Sequence, residues 1–417
     1  MTEAGAPAVV ATADPVARGS VARVGIATAV AAVCGYGVMY LAARRLEPAG
    51  FSVFGVFWGA FGLAVGAANG LLQEATREVR STAGHPAGAG PHTRPMRVAA
   101  AVAVGAAAVI VGTSPLWAPH VFAEERPLSV ALLSAGLAGF CLHATLLGML
   151  AGAGRWSLYG ALMVTDALTR LMLAIAAFAF GWGLSGFLWA TVGGSLAWLL
   201  LLLASPTARS AAQLRTTVSV SAFLRGSAHS IAAAGASAIL VMGFPVLLKA
   251  TSGQLGAAGG VIILAVTLTR APLLVPLTAM QGNLIAYFVD HRSARVRALL
   301  VPAGIVIAVG AVGVAAAFLL GPWILRMGFG TEYVTSGRLL AWLTAAAVSI
   351  ALLTLTGAAA VAAALHRAYS IGWVGATLAA TLLLTLPLGL ETRTVLALLC
   401  GPLVGIAVHL FALARAD

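Results

Sequence analysis

Charge is scarce in this chain. Only 9% of its 417 residues are Asp, Glu, Lys or Arg, against about 25% in an ordinary soluble domain. A soluble protein of this length needs a charged coat, so a water-soluble globule is excluded and lipid is left as the main solvent. Cysteine is rarer still. Cys34, Cys141 and Cys400 all lie in apolar runs without metal-ligand spacing, which excludes a disulfide scaffold and a thiolate metal centre. His143, His229 and His409 are scattered and form no ligand set. There is no phosphate loop ending in Gly-Lys-Ser/Thr, no nucleophile–base constellation and no large hydrophilic domain. ATP hydrolysis within the chain is therefore disfavoured, and neither enzymatic activity nor a cofactor or metal is expected. No short apolar core with a cleavage site precedes the first long apolar run, so no removable signal peptide is expected.

What is present is one apolar run after another. Hydrophobic residues make up 61% of the chain and the mean hydropathy is +1.00. A helix crosses the hydrocarbon in about 20 residues. On that measure the sequence predicts an all-α polytopic membrane protein of about twelve spans, at 21–43, 51–73, 98–117, 128–150, 157–180, 183–204, 227–249, 256–287, 298–320, 338–364, 369–390 and 394–414. Many are rich in Gly and Ala, which allows close helix packing in lipid. Residues 1–20 are polar and Ala-rich and read as a disordered cytoplasmic N-terminus.

The formal net charge of +12 raises the question of nucleic acid. Nucleic-acid binders cluster their basic residues on a soluble face, whereas these sit in short loops between apolar runs, so no nucleic-acid partner is expected. With both termini inside, the cytoplasmic loops carry roughly twice as many basic residues as the outer ones. That orientation fits a bacterial plasma-membrane protein with cytoplasmic termini. Arg44, Arg45, Lys249 and Arg338 then lie on the outer side, and Arg170 and Arg270 remain within spans.

The loops divide the chain into two halves of six spans, 21–204 and 227–417, joined by a polar cytoplasmic linker, 205–226. Each half opens with a span, a short outer turn and a second span with a polar inner end. Duplicated bundles of this kind enclose a site between pseudo-symmetric lobes around a central cavity.

Three patches carry a family resemblance. Ala43-Arg44-Arg45-Leu46-Glu47-Pro48-Ala49-Gly50-Phe51-Ser52-Val53-Phe54 resembles the first outer turn of polysaccharide flippases. Leu268-Thr269-Arg270-Ala271-Pro272-Leu273 resembles their eighth span, where Arg-x-Pro is common. Phe329-Gly330-Thr331-Glu332-Tyr333 resembles the outer loop before their tenth span. The family is the multidrug, oligosaccharidyl-lipid and polysaccharide export superfamily, in its Wzx-like branch. The resemblance implies a flippase that moves a polyprenyl-pyrophosphate-linked oligosaccharide from the inner to the outer leaflet by alternating access, for cell-surface polysaccharide biosynthesis. It implies the lipid-linked glycan and membrane lipids as partners. Glycosyltransferases or a polymerase of the same pathway, and H+ or Na+ as a coupling ion, are further candidates. A cation-coupled multidrug exporter of the same superfamily and a polyprenyl-dependent membrane glycosyltransferase are the alternatives.

Candidate substrate-binding residues follow. Arg270 lies near mid-span, where a bare cation costs a few kcal/mol or more. It reads either as a ligand for a diphosphate or as a packing partner for another helix. Pro272 and Pro276 follow it and are candidate hinges. Asp166 and Arg170 are four residues apart and share a helix face. They read as a self-neutralised pair or as a switch, with Asp166 the one acid well inside an expected span. Arg23, Asn69, Gln73, Gln281 and Asn283 can line a central cavity, but interhelical hydrogen bonds explain the four amides nearly as well, and Arg23 can equally set topology or meet pyrophosphate on entry. Arg77 and Arg225 can receive pyrophosphate on the entry side, or simply set topology.

Overall fold

The structure is a computed structural model that describes residues 18–82, 92–291 and 295–416. Most of the expected disordered N-terminus lies outside these residues, while 18–20 already belong to the first helix. The elements are α1 (Arg18–Thr82), α2 (Pro95–Val121), α3 (Arg126–Gly152), α4 (Trp156–Phe180), α5 (Gly183–Gly193), α6 (Ala197–Ala204), α7 (Pro206–Ala212) and α8 (Val220–Val241). They continue with α9 (Phe244–Ser252), α10 (Gly256–Ala279), α11 (Gln281–Asp290), α12 (Arg295–Ala298), α13 (Leu300–Phe329), α14 (Gly337–Ala362), α15 (His366–Leu384) and α16 (Leu390–Ala414). No strand occurs among the described residues. In hydrocarbon every backbone polar group must bond within its own segment, and the helix does that. Local signals set the ends: Ser219 and Ser336 accept from the amides of Ala222 and Leu339, and Gly181 closes α4 at φ 68°.

Nine helices among the described residues are long and apolar enough to cross a membrane, or ten if the bent pair α8–α9 is one span. The count differs from the expected twelve for two physical reasons. The first two expected spans are fused in α1. As a straight rod its 65 residues would run about 98 Å, three membrane thicknesses. It is instead two helices meeting at Glu47, whose φ 54°, ψ 169° is non-helical. Pro48 follows, removes a backbone donor and disfavours the helical region for the residue before it. The expected eleventh span appears as α15, whose 19 residues begin with the polar His366-Arg367-Ala368-Tyr369-Ser370, which lowers the apolar character of the whole helix.

Two lobes are evident in the packing. In the first, α1 packs on α3 and α4, α2 on α3, and α4 on α5. In the second, α13 packs on α14, and α14 and α15 on α16. The lobes meet chiefly where α1 lies along α8 and α10. Small residues allow that approach. A Cβ on Gly66 would stand 2.5 Å from that of Ala238, and one on Gly70 would collide with the Ser230–Ile231 backbone. Near the corner of α1, Gly260 of α10 lies directly against the Pro48 carbonyl. The connector between the lobes is tied back to the α1–α2 loop by the Thr93–Thr216 bridge (N···O 3.1 and 2.9 Å).

Two patches of the resemblance, nearly 300 residues apart, touch in space. The Tyr333 hydroxyl donates to the Ala43 carbonyl at 3.0 Å, and its ring meets Phe51 edge-on at 6.0 Å. Burial, then the Glu332 and Glu47 carboxylates, push the phenol above its ordinary range, so it stays a donor. Tyr333→Phe is expected to cost about 1 kcal/mol, seen as a lowered unfolding midpoint of the purified protein in detergent.

Candidate functional site

Arg270 sits at a helix break in the second lobe. α8 ends at Val241 and α9 begins at Phe244, with a 62° bend between them. Gly243 and Pro245 place the break: Pro245 is tolerated in the first turn of α9 but not inside a continuous helix. A helix end leaves carbonyls without partners and carries negative dipole charge. Arg270 Nη1 donates to one of these, Val241 O, at 3.1 Å. Its Cζ lies 5.3 Å from the Phe244 ring centroid. The residue is 8% exposed, and its Nη2 is buried without a partner. Arg270 therefore holds the bend with one edge of its fork and leaves the other edge unsatisfied. A buried cation with no carboxylate costs several kcal/mol. α10 runs through Pro272 and Pro276 and is interrupted only at Met280. Each proline leaves the carbonyl four residues before it, Leu268 and Pro272, without its helical donor.

The first lobe has a comparable arrangement. Arg170 Nε and Nη2 donate to Asp166 Oδ1 at 3.1 and 3.0 Å, with the two side chains 15% and 19% exposed. The pair faces the break between α5 and α6, a single 3-10 turn at Gly194–Leu196. Gly194 lies so close that any Cβ would collide with Asp166 Oδ1 and Arg170 Nε. Arg170 Cζ stands 5.3 Å from the Phe61 ring centroid on α1. His143 of α3 faces the same charges, stacks on Phe140 at 5.2 Å, and is buried with Nδ1 unpartnered. Ser195 Oγ, on the break itself, is likewise buried without a partner. A lone histidine carries no spacing signal, so nothing in the sequence marks His143.

The other candidates are dispersed. Arg23 donates to Ser157 Oγ at 3.2 Å, tying α1 to α4. Arg77 is not a free cation: it bonds Glu74 at 2.7 Å and Glu78 at 3.1 Å, with Glu74 buried against Gly226. Arg225 is exposed near the start of α8. Asn69 is half-buried and Gln73 exposed on α1, and Gln281 is half-buried and Asn283 exposed on α11. Two cavities, of ≈ 340 and ≈ 300 Å³, open at helix ends, and neither is lined by Arg170 or Arg270. No metal-binding group of His, Cys, Asp or Glu occurs among the described residues.

No family model matches the chain. Three mycobacterial proteins resemble it along almost their whole length. The uncharacterized protein Mb3654 of Mycobacterium bovis is 70% identical, over 98% of this chain and 95% of its own. The uncharacterized proteins Rv3630 and Rv1510 of Mycobacterium tuberculosis are 69% identical (98% and 95% covered) and 66% identical (100% and 96%). Among solved structures, a multidrug resistance MATE family transporter of the MOP superfamily in its inward-facing conformation superposes with TM-score 0.64 at 16% identity, over 94% of this chain and 95% of that one. The outward-facing conformation of such a transporter gives 0.62 at 14% identity, over 95% and 96%. A MOP superfamily transporter from Pyrococcus furiosus, described as having a binding pocket of reverse polarity, gives 0.58 at 16% identity, over 95% and 96%. The fold is thus the two-lobed MATE-like transporter fold.

Proposed function

We propose a transport function for this chain, which belongs to the family of the mycobacterial proteins Mb3654, Rv3630 and Rv1510. Its substrate is a polyprenyl-pyrophosphate-linked oligosaccharide, moved between leaflets of the plasma membrane for surface polysaccharide synthesis. The observation that carries this reading is the unpartnered Nη2 of a buried Arg270 in a membrane span. A diphosphate supplies the missing acceptors and the missing negative charge together. The fold supports alternation between lobes, and a solved relative of that fold carries a pocket of reversed polarity. Asp166 is the candidate for coupling to H+ or Na+: taking up a proton would release Arg170.

A cation-coupled multidrug exporter is the second reading, favoured by the MATE transporters among the structural neighbours. Cationic drugs need an unpaired acid in the membrane, and Asp166 is neutralised by Arg170. Purified protein in liposomes decides between them. Polyprenyl-pyrophosphate-linked oligosaccharide placed in the inner leaflet is expected to become accessible to external lectin at least about tenfold faster than in protein-free vesicles, a barrier change of only about 1.4 kcal/mol. No acceleration, together with pumping of a cationic dye under an imposed ion gradient, would give the exporter reading instead.

A further inference from the structure

The ≈ 340 Å³ cavity lies where α14 and α16 begin, the outer side in the orientation set by the charge bias. Its rim carries Arg338 and Glu391, and its walls are Trp342, Val395, Leu396 and Leu399. Among the described residues, neither Arg338 nor Glu391 has an ion-pair partner, although both line the same space. Arg338 is the second residue of α14, a cation at the positive end of a helix dipole. That placement is unfavourable unless an anion joins it. Glu391 is in the first turn of α16. Trp342 lies one turn below Arg338, half exposed, and lines the same space. From Glu391 to Leu399 the wall descends two turns of α16, about 12 Å, and below Glu391 and Thr392 it is apolar.

A purely anionic head would meet Glu391, and a purely cationic one would meet Arg338. A head with both signs, on an apolar chain, leaves neither opposed. We propose that this cavity binds a zwitterionic membrane phospholipid, with its phosphate at Arg338, its amine at Glu391 beside the Trp342 indole, and the start of an acyl chain on Val395, Leu396 and Leu399. Interfacial aromatics and an amphipathic rim suit that boundary. The site stands apart from the transported substrate, since neither Arg170 nor Arg270 contributes to it.

Native mass spectrometry of delipidated full-length protein, titrated with phosphatidylethanolamine or phosphatidylglycerol, tests this. Phosphatidylethanolamine is expected to bind at least about fivefold more tightly. Arg338→Gln should weaken it about tenfold, the scale of one charge-assisted hydrogen bond. Glu391→Gln should reverse the preference toward phosphatidylglycerol. Leu396→Trp, which fills the floor and leaves the charges alone, should reduce retention of both lipids and decides the matter if a charge variant fails to fold. Unchanged headgroup preference in Glu391→Gln, or full lipid retention in Leu396→Trp, overturns the proposal. So does displacement of the lipid by soluble phosphoethanolamine at equal concentration, which would make the ligand a free headgroup.

Discussion

Gly70→Ala is expected to destabilise the protein by about 1–3 kcal/mol, the range of an overpacked rigid contact. Gly70 is on the half of α1 that lies along α8, and its neighbours there are backbone atoms, Ser230 C and Ile231 N and Cα. A flexible side chain could turn away from a new methyl, but a helix backbone in hydrocarbon cannot give up its hydrogen bonds to do so. The lobes must then separate along a seam that also contains Gly66 against Ala238 and Glu74 against Gly226. Thermal unfolding of the purified protein in detergent measures the effect. Gly35→Ala is the control on the same helix: nothing lies within 4 Å of its Cβ position, and alanine's better helix propensity should leave stability unchanged or slightly raised. Equal midpoints for the two variants would show that the seam is not a tight contact.

Arg270→Leu should separate stability from transport. Its removal takes away a costly buried cation, a gain that offsets much of the loss at Val241 O, now without a donor. The unfolding midpoint should therefore move little, whereas translocation of a pyrophosphate-linked glycan should fall more than about tenfold, the worth of one charge-assisted contact. Arg270→Lys keeps the charge but loses the planar fork, so it cannot hold the bend and present a second donor edge in the same geometry. It should be intermediate in translocation. If Arg270→Leu unfolds readily and its remaining folded fraction transports normally, the guanidinium serves only to hold the α8–α9 bend.

Much of the architecture was legible because apolar runs and lipid thickness leave few options. The Asp166–Arg170 pair was legible as well, since four residues on a helix bring two side chains together. Breaks inside spans were less so. The run 227–249 reads as one straight span, yet α8 ends at Val241, where Gly243 and Pro245 offer a local reason. The run 256–287 reads as one element, but α10 gives way to α11 at Met280. The break at Gly194 carries only a Gly-Gly signal within an otherwise continuous apolar run. The partner of Arg270 was not legible at all. It is a backbone carbonyl 29 positions away, and any residue type supplies one. For the same reason the contact of Tyr333 with Ala43 O left no mark on the sequence beyond the aromatic itself.

Glu47 is the entire connection between the two rods of α1. An ordinary loop would act as a slack tether and let its two crossings drift independently. A one-residue corner leaves only one residue's φ and ψ between them. Because α10 seats Gly260 directly on the adjoining Pro48 carbonyl, the second lobe has its grip at the elbow of this lever. Both rods touch the second lobe, the leading one where Tyr333 meets Ala43 and the following one along α8, so a change of angle at the elbow changes both contacts together.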